Sequence, residues 1–208
     1  MNIFIILKFL GLIITAYLLG SIPFGLILTS RFTSIDIRKN GSRNIGATNV
    51  KRLAGKKLGI ITLAADMLKG AIPVYFGCAL SNATGNYDAT WGQIGLSMVA
   101  FFAFLGHLYP VYMKFKGGGK GVATAAGCFF VLSPMASFTA LLIFILFVCC
   151  FNRVSVGSLA ATAVLPPAVW KFSGSLIITE FAVIIGILIY YRHRENIKRL
   201  LAGSEPVM

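Results

Sequence analysis

Acidic side chains are scarce in this sequence, which sets 6 Asp and Glu against 19 Lys and Arg. Charge of either sign is scarce too, at 12% of residues, roughly half of what a soluble domain carries. With 57% apolar residues and a mean hydropathy of +0.84, an ordinary water-soluble fold is excluded. The net charge of +13 implies anionic partners, and the anionic headgroups of a lipid bilayer account for much of it. No nucleic acid is expected among them. Histidine occurs 2 times and cysteine 4 times, the cysteines being Cys78, Cys128, Cys149 and Cys150 in apolar surroundings. No metal-ligand spacing joins them, so no metal and no cofactor is expected, and the cysteines read as small buried hydrophobes. A nucleotide-binding G-x-x-x-x-G-K-[ST] loop is also missing, because Gly121 and Val122 follow Lys120.

Long apolar runs are what the sequence has in plenty. A helix needs about 20 such residues to cross the hydrocarbon core, and several runs approach or exceed that. The expected fold is all-α and integral to the membrane, a single polytopic domain over residues 1–208. About seven transmembrane segments are expected, at Ile3–Leu28, Leu58–Leu80, Trp91–Tyr112, Val122–Leu132, Pro134–Phe151, Val156–Trp170 and Ile177–Tyr191. The first is too long for the apolar part of a signal peptide and lacks a small-residue cleavage site after it. Gly20 and Pro23 predict a kink near its end. Val122–Phe151 reads as a hairpin folded at Ser133-Pro134. That folding returns Arg153 and the tail cations Arg192, Arg194, Lys198 and Arg199 to the side of the strongly basic stretch Ser30–Lys57. Basic loops mark the cytoplasmic face, so the N-terminus is expected outside, Ser81–Thr90 in an outer loop, and the C-terminus in the cytoplasm.

The stretch around which the rest is organised is Lys114-Phe-Lys-Gly-Gly-Gly-Lys-Gly-Val-Ala-Thr124. Glycines without Cβ let successive backbone N–H groups turn onto a small anion, and lysines at the rim add charge. A helix beginning near Val122 aims its positive end at the same place. Lys116, Gly117, Gly118, Gly119, Lys120 and Gly121 are therefore candidate phosphate ligands. A second polar stretch, Asp36–Asn49, offers Ser42 together with Asn44, Thr48 and Asn49 as further candidate phosphate ligands, with Arg38, Arg43 and Arg52 as cations, Arg52 again a candidate phosphate ligand, and Gly41 and Gly46 for tight turns. That is more polar chemistry than a solvated linker needs. Asp66 and Lys69 share one face of the second apolar segment, where ionisable groups are costly. They read either as a structural ion pair or as cavity-lining groups. Arg153–Ser158 adds Ser155 and Ser158, and His193 and Asn196 stand three apart on an expected tail helix, Arg192–Leu201. His107 reads as a buried hydrogen-bonding residue.

Asp36–Asn49, the lysine–glycine loop, and His193-Arg-Glu-Asn196 with Glu205 resemble the three cytoplasmic motifs of one family. These are the acylphosphate-dependent glycerol-3-phosphate acyltransferases, the bacterial PlsY family. Gly20-Ser-Ile-Pro-Phe-Gly25 and Asp66-Met-Leu-Lys-Gly70 fit as well, so the likeness runs nearly the whole chain. The resemblance implies a seven-helix enzyme of the bacterial inner membrane with its active site on the cytoplasmic face. It would transfer an acyl group from acyl phosphate to the 1-hydroxyl of glycerol 3-phosphate, the first step of phospholipid synthesis. The resemblance makes Ser42 and Arg52 the essential pair of the first motif. Lys120 and its glycines would bind phosphate, Ser155 or Ser158 would line the site, and His193 and Asn196 would contact substrate. Glu205 would be structural, the role that the residues themselves give to Asp66 and Lys69 if they form an ion pair. Two departures stand out. Gly117-Gly118-Gly119 has one glycine more than the family pattern, leaving Lys116 and Lys120 both open for the family's lysine. Arg43 stands where the family has glycine. The H-x4-D motif of acyl-CoA-type acyltransferases is absent, since Tyr112 and Lys198 lie five residues beyond His107 and His193. A phosphate or organophosphate transporter is the alternative from a different functional class.

Overall fold

The structure, a computed structural model, describes residues 3–83, 85 and 90–207. The expected apolar segments are largely helical, and the chain divides into two compact units, Met1–Val131 and Leu132–Met208. The first unit holds α1 (Ile3–Gly20), α2 (Phe24–Phe32), α3 (Ala47–Ala54), α4 (Lys56–Ala83), α5 (Thr90–Leu108), a 3₁₀ turn at Val111–Met113, and α6 (Val122–Leu132, whose last residue falls in the second unit). The second holds α7 (Pro134–Phe151), α8 (Val154–Ser173), α9 (Leu176–Arg192) and α10 (Arg194–Leu201). Ile3–Phe32, Lys56–Ala83, Thr90–Met113 and Pro134–Phe151 are long and apolar enough to cross a bilayer. Leu176–Arg192 with Arg194–Leu201, bent by 59°, makes a fifth if counted as one span. Most of the expected Ser81–Thr90 loop lies outside the described residues, while Ser81–Ala83 extend α4 and Thr90 opens α5.

In the first unit α1 packs on α5 and α4, and α2 and α3 pack on α4. Lipid tails are as apolar as leucine, so helices in a bilayer gain by close backbone approach at small residues. α1 and α5 do this reciprocally: a Cβ on Gly20 would strike the Ala103 carbonyl, and one on Gly106 would strike that of Tyr17. α4 meets α6 in the same way at Gly70 and Gly127. Apolar side chains such as Phe4, Leu7 and Ile14 are left on the outer surface, as expected where the solvent is lipid.

Three expectations need correction. Ile3–Leu28 is not one kinked helix; the chain breaks at residues 21–23 and restarts as α2. Pro23 supplies no N–H to continue the helix, and at the break the Ile22 carbonyl accepts from Phe24 N at 3.1 Å and from Lys69 Nζ at 2.9 Å. The tail helix starts at Arg194, and His193 is the joint between α9 and α10. Cys128 is buried, but Cys149 and Cys150 are exposed on α7, whose outer face is itself apolar and needs no polar cover. The break expected at Ser133-Pro134 is present, with Pro134 opening α7 at the position where its missing N–H costs nothing.

Candidate active site

The first polar loop folds around Asn49, which is 2% exposed. Its Nδ2 donates to the carbonyls of Asn44 at 2.9 Å, Ile37 at 3.2 Å and Asn40 at 3.3 Å, and its Oδ1 accepts from Ser42 N at 3.0 Å. The sequence places Asn49 among the phosphate ligands, whereas in the structure its amide is taken up in holding the loop. Asn44 Oδ1 likewise accepts from Gly46 N at 2.8 Å, a turn in which an Asn side chain stands in for backbone. Beneath lies a small apolar core of Ile37, Ile45 and Val50. Ser42, Arg43, Thr48 and Arg52 stay exposed, so the hydroxyls and cations face outward from a rigid base. Hydrogen bonds from the side chain and backbone of Arg38 hold the Asp36 carboxyl down at about 2, leaving it ionised and occupied with Arg38. Arg43 has φ 56, a left-handed conformation that glycine takes without strain. This is a physical reason for glycine to be usual there.

Met113 joins this loop to the next. Its side chain packs on the Ile37–Ile45–Val50 core, and the glycine loop begins at the following residue. Lys114 (φ 54) and Phe115 (φ 61) reverse the chain so that residues 118–121 run back onto α5. The fit there is close. A Cβ on Gly118 would strike the Leu108 carbonyl, one on Gly119 the His107 ring, and one on Gly121 the Phe104 ring. Gly119 N donates to His107 O at 3.1 Å, so that N–H is turned to the fold and away from an anion. Lys116 is exposed at the rim, whereas Lys120 is half-buried between two buried glycines, directly ahead of the first turn of α6.

In the second unit the acceptor at the centre is Glu205, 8% exposed. Its Oε1 accepts from Ser155 Oγ and Asn196 Nδ2, each at 2.7 Å, and its Oε2 from Arg199 Nε at 2.7 Å. Arg153 Nε donates to its backbone carbonyl at 3.0 Å. Burial pushes the carboxyl up, but the donors Asn196, Ser155 and Arg199 together outweigh it and hold Glu205 below the ordinary glutamate range. Ser158 is buried one turn further along α8. His193 is 2% exposed, with Nδ1 at 2.8 Å from the Ile189 carbonyl. A carbonyl only accepts, so Nδ1 is the donor in this contact. Sequence reasoning misses the parts played by Arg153 and Arg199; Arg199, 6 residues before Glu205, is a signal the sequence offers, whereas Arg153, 52 residues away in the chain, carries none. It also misses α3, whose signal is Val50 followed by Leu53 and Ala54 at helical spacing.

Long apolar helices joined by loops dense in hydroxyls, amides and cations define a multi-pass membrane protein whose exposed chemistry is concentrated in its loops. Residues 10–203 match the family described as glycerol-3-phosphate acyltransferase, and the chain belongs to that family, in its PlsY form. The glycerol-3-phosphate acyltransferase of Syntrophotalea carbinolica is 47% identical over 198 residues, covering 95% of this chain and 96% of that protein. That of Geotalea daltonii is 44% identical over 196 residues, covering 94% and 95%. Among solved structures, the glycerol 3-phosphate form of PlsY, an integral membrane glycerol 3-phosphate acyltransferase, superposes with a TM-score of 0.88 at 39% identity, covering 97% of this chain and 96% of that one. Its lysophosphatidic acid form gives 0.85 at 38%, covering 97% and 95%. The family indicated by the three motifs is the family found.

Proposed function

We propose that the protein moves a fatty acyl group from acyl phosphate to the 1-hydroxyl of sn-glycerol 3-phosphate, giving 1-acylglycerol 3-phosphate and phosphate. The observation that carries this reading is the near-complete likeness to a relative crystallised in a glycerol 3-phosphate form. The hydroxyl oxygen attacks the acyl carbonyl carbon, the new ester C–O bond forms, and the anhydride C–O bond breaks with its electron pair leaving on phosphate. Phosphate is a stable anion, so no strong acid is needed to expel it. The difficulty is to hold two phosphate-bearing molecules together against their repulsion, with hydroxyl and carbonyl in reach. Arg52, Lys120 and the loop N–H groups neutralise the phosphates, with Ser42 as the partner of Arg52, and nearby donors stabilise the tetrahedral oxyanion. Lys120 suits the family lysine better than Lys116, being held between packed glycines ahead of a helix. The hydroxyl proton goes to His193 or to the substrate's own phosphate.

The proposed setting is the bacterial inner membrane, with the N-terminus outside and the C-terminus and reaction on the cytoplasmic side, in a single domain of seven spans. Sided labelling of a cysteine introduced at Ala202 tests the orientation, and reaction only from outside defeats it. The decisive assay offers the purified protein acyl phosphate, acyl-CoA or acyl carrier protein at equal chain length, with glycerol 3-phosphate and a chelator. Transfer from acyl phosphate alone is the expected result. Efficient transfer from acyl-CoA, or loss of activity with chelator, overturns it.

A further inference from the structure

Three ionisable side chains lie buried in the first unit: Asp66 and Lys69 on α4 and His107 near the end of α5, each no more than 4% exposed. Lys69 Nζ stands 2.8 Å from Asp66 Oδ1, and the same oxygen is 3.7 Å from His107 Nδ1. Lys69 also donates to the Ile22 carbonyl at 2.9 Å, in the break between α1 and α2. On its other edge the His107 ring is in contact range of Gly119, since a Cβ there would strike Nε2. The His107 carbonyl accepts the Gly119 N–H. A continuous line of contacts thus runs from the glycine loop through His107 and Asp66 to Lys69 and the Ile22 carbonyl.

A buried ion pair is seldom a net source of stability, because desolvating two charges offsets most of their attraction. Apolar residues would pack this depth of the membrane at less cost. The arrangement makes sense as a brace. Asp66, itself fixed by Lys69, faces the Nδ1 edge of the ring at 3.7 Å, an electrostatic contact longer than a hydrogen bond, and the opposite edge of the ring lies against the backbone at Gly119. We infer that His107, oriented by Asp66, is a positioning residue that fixes the glycine loop in its phosphate-receiving shape. The inference rests on the reading of that loop as the phosphate site.

The test measures the inhibition constant of inorganic phosphate, together with kcat, KM and melting temperature, on purified full-length protein. His107→Ala is expected to weaken phosphate about tenfold, less than a full ångström of misplacement costs, because the loop loses the ring it packs against, while kcat falls less. Gly119→Ala is expected to weaken it more, because the new methyl and the ring cannot share the space. In the double variant the ring is gone and the methyl has room, so its phosphate constant should match that of His107→Ala alone. Multiplying effects in the double variant would overturn the inference, as would a His107→Ala protein with a lower melting temperature and an unchanged phosphate constant. If the double variant fails to fold, His107→Gln decides: a constant between those of wild type and His107→Ala supports the brace, and one equal to wild type in both single variants refutes it. Lys120→Ala is the control on the underlying reading. Unchanged phosphate inhibition there defeats the loop as a phosphate site, whereas weakened inhibition with independent His107 and Gly119 effects defeats only the brace.

Discussion

At the glycine loop, Gly118 lies against the Leu108 carbonyl and Gly119 against the His107 ring, with no side chain of their own in the way. At the tail, by contrast, a single carboxylate collects Ser155, Asn196 and Arg199. Both arrangements fix segments that the family resemblance assigns to substrate, and they do so with opposite materials. The first depends on the absence of side-chain volume and is indifferent to charge. The second depends on one negative charge and tolerates modest changes of volume. Different substitutions should therefore break them, and with different signatures.

The largest effect is expected at the loop. Gly118→Ala puts a methyl on the Leu108 carbonyl, a backbone atom that cannot swing aside. The loop has to move, and a displacement of about an ångström is enough to cost on the order of a hundredfold in rate. Initial-rate assays should show that loss, while the melting temperature, governed by the helices, changes little. A Gly118→Ala enzyme with wild-type turnover would mean the loop's fit is incidental to the reaction.

The tail should behave in the reverse manner. Glu205→Gln keeps the shape but replaces an acceptor oxygen with an NH2 group, so at least one of the three donors meets a donor. Hydrogen bonds to charged groups set the scale at about 2 kcal/mol, read as a lower melting temperature in detergent. The pH dependence carries its own sign. Glu205 is held below its reference value of 4.5, so its contribution is complete above that pH and is lost as the pH falls through the lower folded-state value. Wild-type melting should therefore drop on acidification below about 4.5 more steeply than that of Glu205→Gln. Parallel curves would show that the carboxylate's charge is not what secures the tail.

The two regions also differ in how far the sequence reveals them. Apolar runs mark the helices because only a helix can bury its backbone polar groups in lipid, and Pro134 marks a helix start by its missing N–H. The glycine loop is recognisable as an anion-binding pattern, yet its seating on His107 is not. That contact depends on left-handed backbone at Lys114 and Phe115, and neither residue type announces such a conformation. Asn49 illustrates the limit differently. An amide in a polar loop reads equally as a ligand or as a loop anchor, and only the four contacts it makes separate the two. Cys149 and Cys150 are misread as buried because apolar neighbours imply burial in water, whereas in a membrane they equally mark a lipid-facing surface.

Arg43 offers the smallest expected effect and the sharpest question about the first loop. Its φ of 56 lies where a side chain costs roughly 1–2 kcal/mol and glycine costs nothing. Its N–H donates to the Asn40 carbonyl at 3.1 Å, a bond that any residue there retains. Arg43→Gly should therefore relieve the strain, but glycine also loses more backbone freedom on folding, which returns about 0.5–1 kcal/mol. The net gain should be below about 1 kcal/mol, visible as a slightly higher melting temperature. The same change removes an exposed cation beside Ser42, so the Michaelis constant for glycerol 3-phosphate should rise by a few-fold if that charge helps draw in phosphate. Arg43→Asn separates the causes, since asparagine tolerates left-handed backbone better than most residues and is uncharged. A raised constant in both variants assigns Arg43 to substrate attraction. An unchanged constant in both, with the melting temperature still raised, leaves the arginine as strain without a compensating role in binding.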